Sequence, residues 1–360
     1  MLRTIIFCFA LFCIIIPVSA TVVTFIPASG SISSVDVMDI SESHDGTIVF
    51  ATTNGLSLFD SGWATIQKEP WKYDSGLQDD FIDCIEFDAN NVLWLGFSAG
   101  VQQYDGRTFT RVGTDEFFSS MDIHDILRDD DTIWIANGNT GLNHFTGGKW
   151  EWIRPFAENG PGAYYITSMA KDHATGNIIL TTRLHGVWKG VSDEQGILFS
   201  QIPIPEEQYG KITNVVDYPF GGVILFNQNN ILHYSESMGY VTVADPATLG
   251  DGVTRMNDVV VTESGIFVIG TNNGLYGYHN DEIITHITRN TIGISNNEVK
   301  NVFSDSIGRW WFITKEEAGY YLPDDMPKKI PVIIVNEYNT DNSDWSESSK
   351  PIQVPVHYIG

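Results

Sequence analysis

Apolar residues in this chain fall into short bursts that return at a fixed interval. Each unit opens with an apolar/polar alternation, such as "VDVMDI", "FIDCIEF", "MDIHDIL" or "MNDVVV". A polar turn follows ("HDG", "ANN", "DDD", "ESG"), then a dense apolar run ("TIVFA", "VLWLG", "TIWIA", "IFVIG", "WWFI"). A turn of the Asn-Gly type leads to a third short segment such as "LSLF" or "LYGY", and most units add a fourth ("WATIQ", "WEWI", "IITHI"). The phrase "TTNGL" pivots on Gly55 and "TNNGL" on Gly274, and weaker copies pivot on Gly100, Gly141, Gly186, Asn230 and Gly319. The steps between pivots average about 44 residues over seven units.

Alternation with period two and frequent turn residues predicts strands, and nothing in the bursts follows the 3.6-residue period of a helix. The second segment is apolar throughout, so both its faces should be buried. Four strands per unit with a doubly buried second strand predict an all-β, seven-bladed β-propeller, whose blades are sandwiched between neighbours. The seventh unit has only three strands before Pro323, and "TVVTFIP" near the start belongs to no unit. Val22–Ile26 is therefore expected to complete the seventh blade and close the ring. The predicted propeller spans residues 21–323, and residues 324–360 form a C-terminal β or irregular tail.

The units resemble the two-component regulator propeller repeat. That pattern runs G-L-S-x-N-x-V-x-x-I, then D-x-x-G-x-I-W and a Gly-Leu turn. "GISNNEVKNV" (293–302), "SDSIGRWWFIT" (304–314) and the stretch 76–106 carry the likeness, which extends over about residues 22–322. The resemblance implies the extracytoplasmic sensory part of membrane-bound hybrid sensor kinases, a ligand-recognition module, frequently for polysaccharide fragments. In that family the propellers precede a small immunoglobulin-like domain, a membrane span and a kinase. "MPKKIPVIIVNEYNT" (326–340) resembles only the opening strand of the small domain, so a propeller without the kinase half is expected.

Composition narrows the setting. "MLRTIIFCFALFCIIIPVSA" has one basic residue, an apolar stretch and Val18-Ser19-Ala20, which predicts a signal peptide over residues 1–20 and an exported protein (periplasmic, cell-surface or extracellular). The expected mature chain keeps Cys84 alone, so its stability must come from its core. Cys84, in a strand-like run, reads as a buried apolar residue. The formal charge of −25 argues against nucleic acid and anionic lipid as partners. No later apolar run is long enough to span a bilayer. A monomer is expected, and the absence of N-x-[ST] sequons fits a prokaryotic chain.

Enzyme motifs are largely missing: there is no G-x-S-x-G elbow, H-E-x-x-H, Walker loop, EF-hand loop or C-x-x-C. No cofactor or metal is expected. "RDDDT" (128–132) invites a calcium reading but sits where other units carry a tight turn. In a propeller the loops joining blades and the turns between second and third strands share one face. That top face holds the ligand-binding candidates Asp80, Phe81, Asp122, His124, Tyr164, Tyr165, Arg183, His185, Arg255, Asn297 and Glu298. Lys211 and Lys315 belong to the same rim. Aromatic faces beside carboxylates, amides and Arg suit a sugar or a peptide. The expected function is a non-enzymatic binding module for a glycan fragment, a peptide, or an envelope or sensor protein. The alternatives are a propeller lyase or hydrolase with a central-channel site, in which carboxylates would converge on His124 or His185, and a structural part of an envelope assembly.

Overall fold

The computed structural model describes residues 20–27, 30–72, 75–112, 122–138, 141–153, 165–193, 196–291 and 293–323. The expected leader up to residue 19 and the tail from residue 324 lie outside the described residues, as does Tyr164. The described strands form seven four-stranded antiparallel sheets. Six are built from consecutive strands, and the seventh is completed by Thr21–Phe25 beside Ala318–Leu322. The closing strand thus starts one residue earlier than the sequence suggests and ends one earlier.

The second strands explain why the chain adopts this architecture. Ile48–Thr52, Leu93–Phe97, Asn177–Thr182, Val223–Phe226, Phe267–Thr271 and Trp310–Thr314 are buried at every position. Alternate side chains of one strand enter the two neighbouring inter-blade cores. Phe50, for example, packs with Trp311 and Ile313 of blade seven, while Val49 and Ala51 pack with Ile85 and Leu95 of blade two. Trp94, Trp134, Trp310 and Trp311 are all buried, and each such side chain contributes about 2–3 kcal/mol of apolar burial. Trp150 and Trp152, on an outer strand, remain half-buried. Cys84 is buried, and its burial pushes the thiol well above its usual pKa, which leaves it inert.

The recurring Thr-x-Asn-Gly phrase turns strand two into strand three. The Thr271 hydroxyl donates to the carbonyl of Gly274 at 2.9 Å and accepts from Asn273 N–H at 2.9 Å. Thr52 does the same to Gly55 and Asn54 at 2.8 and 2.9 Å. Gly274 has φ +113°, and a Cβ there would lie 2.3 Å from the carbonyl oxygen of Ile287. In the seventh blade Thr314 N–H donates to Glu317, so the pivot is Glu317 and not Gly319. Gly319 serves the closure instead, because a Cβ there would stand 2.5 Å from the carbonyl oxygen of Val23 on the closing strand.

The first turn of each blade also has a side-chain logic. Asp305 accepts from Arg309 N–H at 2.8 Å and from the Trp311 indole at 2.7 Å. Asp88 accepts from the Trp94 indole at 3.1 Å. "RDDDT" is such a turn: Asp130 has φ +52°, and both Asp129 and Asp130 are paired with Lys171.

Candidate functional site

The first strand of each blade lines the central axis, and first strands of successive blades are neighbours. Its first buried residue is Val37, Ile82, Ile123, Ile166, Ile212, Met256 or Val299 in blades one to seven. Immediately before it, at the channel mouth, stand Asp36, Phe81, Asp122, Tyr165, Lys211, Arg255 and Glu298. Five sequence-predicted residues (Phe81, Asp122, Tyr165, Arg255 and Glu298) therefore share one ring.

Immediately after it comes a β-bulge. Pairing skips a residue in blades one, three, four, six and seven, at Met38, His124, Thr167, Asn257 and Lys300. Asp83 and Thr213 hold the same place in blades two and five, with their N–H groups donating to Gly96 and Phe226. A bulge re-aims the side chain of the inserted residue. Sequence patterning finds the strands but not the bulges, because the bulged residues share no chemistry.

Most bulge residues are committed to neighbouring blades. Thr167 donates to the carbonyl of Thr213 at 2.7 Å, and Asn257 donates to that of Val299 at 2.7 Å. Lys300 pairs with Asp36 at 3.2 Å, which ties blade seven to blade one. Asp83 and His124 differ: Asp83 Oδ2 and His124 Nε2 are shielded from solvent and have no hydrogen-bond partner among the described residues. Burial, and then repulsion from Asp122, push the Asp83 carboxyl up to about 6. His124 Nε2 lies 3.6 Å from Asp122 Oδ2, and its ring is 5.1 Å from that of Tyr165. Arg183 N–H donates to the Tyr165 carbonyl at 2.7 Å, and its guanidinium carbon is 5.7 Å from the Tyr165 ring. Asp122, His124, Tyr165 and Arg183 thus form one cluster over blades three and four, with Asp83 electrostatically coupled to it. Asp83 is the residue that sequence reasoning missed. Aligning the units places it at the His124 position, which is the signal that could have found it.

The other candidates are spoken for to different degrees. Arg255 and Lys315 both engage Glu298, and these two cations hold its carboxyl below the usual range, Lys315 contributing most. Asp80 and Asn297 are equivalent turn braces. Their carbonyls accept from Gly55 and Gly274 N–H, each at 2.7 Å, and their side chains accept from Lys68 and Arg289 N–H at 2.6 and 2.7 Å. Phe81 is exposed at the rim. The carbonyl of His185 accepts from the indole of Trp188 and the amide of Gln201, both at 3.0 Å.

A deeper tier of first-strand groups lines the channel. Asp39, Asp125 and Asp258 each accept from a backbone N–H of the next blade, at Ile85 (2.8 Å), Met169 (2.5 Å) and Val302 (2.9 Å). Burial pushes Asp39 up to about 6, Asp258 to about 7 and neighbouring Glu86 to about 8, with Asp39 adding repulsion at Glu86. No group of three or more potential metal ligands converges among the described residues.

No protein-family model matches the sequence, and no curated protein matches it. Solved structures do. The extracellular domain of a protein proposed as a hybrid two-component system from B. thetaiotaomicron is similar over 86% of this chain and 42% of its own, with TM-score 0.68 and 14% identity. A second such domain from that organism matches 79% of this chain and 38% of its own, with TM-score 0.61 and 22% identity. The chain shares their propeller fold. It spans about two fifths of the length of those sensor domains. A streptogramin B lyase is similar over 84% of this chain and 97% of its own, with TM-score 0.66 and 15% identity. At these identities the likeness is one of fold. No helix among the described residues is long and apolar enough to cross a membrane.

Proposed function

We propose that this chain is an exported, non-enzymatic binding module that recognises a glycan fragment, a peptide or a protein partner at the channel mouth over blades two to four. The observation that carries the reading is the cluster of Asp122, His124, Tyr165 and Arg183 on rigid strand ends. It combines an aromatic face and a cation with the His124 ring nitrogen and, beside it, the Asp83 carboxylate oxygen, neither of which is bonded by the described residues. Around blades six, seven and one the corresponding charged positions are instead taken up by ties between blades. Similarity of fold to extracellular sensor domains supports the reading, as does a leader-like segment at residues 1–20. In this reading the propeller occupies residues 21–323.

The test is calorimetric titration with an oligosaccharide and peptide panel against the parent chain, Tyr165→Ala and Arg183→Ala. Both side chains border the mouth, so loss of binding with unchanged melting temperature is expected. Binding that survives both changes would remove the site from this face.

One observation favours a second reading. His124 Nε2 lies 3.6 Å from Asp122 Oδ2 at the mouth, a histidine beside a carboxylate as in a general base of a lyase or hydrolase. Turnover of any panel member, abolished in His124→Asn, would move the chain to that class.

A further inference from the structure

Charges at the mouth do not cancel uniformly. The cations and carboxylates of blades six, seven and one neutralise each other in ion pairs. Across blades two to five the charges are segregated. Asp83 and Asp122 lie on blades two and three, while Arg183 and Lys211 lie on blades four and five. Among the described residues, no ion pair engages Asp83, Arg183 or Lys211, and Asp122 meets no cation other than the titratable ring of His124 at 3.6 Å. Between the two halves stands Tyr165, whose ring meets His124 on the acidic side and Arg183 on the basic side.

Unpaired like charges held together are unfavourable unless a ligand completes them. Asp83 and Asp122 repel each other, and Asp83 Oδ2 has no donor among the described residues. A group that donates hydrogen bonds and carries positive charge would relieve both. A carboxylate would find cations in Arg183 and Lys211, on the adjacent blades four and five, with the guanidinium offering a two-pronged donor. Neutral sugar hydroxyls could hydrogen-bond here but would gain nothing from the separation of charge.

We infer that the mouth across blades two to five binds a small zwitterion, a free amino acid or an unblocked short peptide, with its ammonium toward Asp122 and Asp83 and its carboxylate toward Arg183 and Lys211. This rests on the proposed binding role of the mouth and narrows its ligand class.

The experiment compares a panel of unblocked dipeptides with their N-acetylated and C-amidated forms, and with maltotriose, by calorimetry and thermal shift. An unblocked member should bind at least about tenfold more tightly than either blocked form, since each block deletes one charge-assisted contact. In Asp122→Asn the unblocked and N-acetylated forms should bind alike, and in Arg183→Gln the unblocked and C-amidated forms should. Asp122 is half-exposed and Arg183 exposed, so both variants should keep the parent melting temperature. Equal binding of blocked and unblocked forms, or no binding by any unblocked dipeptide, overturns the inference. If maltotriose alone binds, and binding is lost in Tyr165→Ala, the mouth remains a binding site and the zwitterion falls. If no probe depends on these residues, both readings fall.

Discussion

Individual residues in this propeller are constrained by different neighbours even where they look alike in sequence. Gly274 and Gly147 both have positive φ, but a Cβ at Gly274 would strike the Ile287 carbonyl while one at Gly147 would meet nothing within 4 Å. Gly274→Ala should therefore cost clearly more than the roughly 1 kcal/mol expected of Gly147→Ala from backbone strain alone. Urea unfolding of the two variants measures the difference, and equal losses would show that the turn relaxes. The channel carboxyls make a second residue-scale prediction. Glu86, Asp258 and Asp39 hold their protons to about 8, 7 and 6 when folded, above the values near 4 of an unfolded chain. The folded state then binds more protons than the unfolded one between about pH 4 and pH 8, so these groups stabilise most below that window. Their contribution falls as pH rises through the folded values. Carboxyls held low, such as Asp172 and Glu298, act in the opposite sense and only near or below pH 4. Melting temperature should decline from pH 5 to pH 8, and Glu86→Gln should remove on the order of 3 kcal/mol of that decline. A variant with the parent slope would exonerate Glu86.

At the scale of elements, the closing strand joins the ends of the chain. Phe25 packs against Phe59, Trp63, Trp311 and Tyr320, so one residue links the seventh blade to the first. Phe25→Ala should cost roughly 2–3 kcal/mol, somewhat less than a fully buried Phe. Deleting residues 21–25 should lower the melting temperature further, because the edge of Ala318–Leu322 is then left unpaired. A deletion variant no less stable than Phe25→Ala would mean that the hydrogen-bonded ladder adds little to the ring. This closure was legible in the sequence because a three-stranded last unit and an orphan strand imply each other. The second strands were legible because burial on both faces removes polar residues from them. The seventh pivot was not: Gly319 matches the repeat spacing, yet its need for glycine comes from the Val23 carbonyl, a contact between chain ends that local pattern cannot encode. The site was half legible. Loop positions placed Asp122, Tyr165 and Arg183 on one face, where they do lie together, but their meeting with His124 and Asp83 depends on the bulge, which is a property of pairing register.

For the whole molecule, the distribution of charge matters more than its total. The chain carries a formal charge of −25, and part of that burden is concentrated in the channel, where Asp39, Glu86, Asp125 and Asp217 act on one another. Repulsion of this kind is felt by the folded ring and largely relieved when the chain expands. Salt should therefore stabilise the fold, since the screening length falls from tens of ångströms at about 0.01 M to a few at about 1 M. Asp39, Asp258 and Glu86 are mostly protonated at pH 5, whereas by pH 8 Asp39 and Asp258 are ionised and Glu86 about half so. Raising NaCl from about 0.02 M to about 0.5 M should thus increase the melting temperature at pH 8 by several degrees and at pH 5 by distinctly less. Equal shifts at the two pH values would locate the repulsion on the outer surface. In Glu86→Gln the pH 8 shift should shrink toward the pH 5 value, because the replacement removes a channel carboxyl that gains its charge between these two pH values.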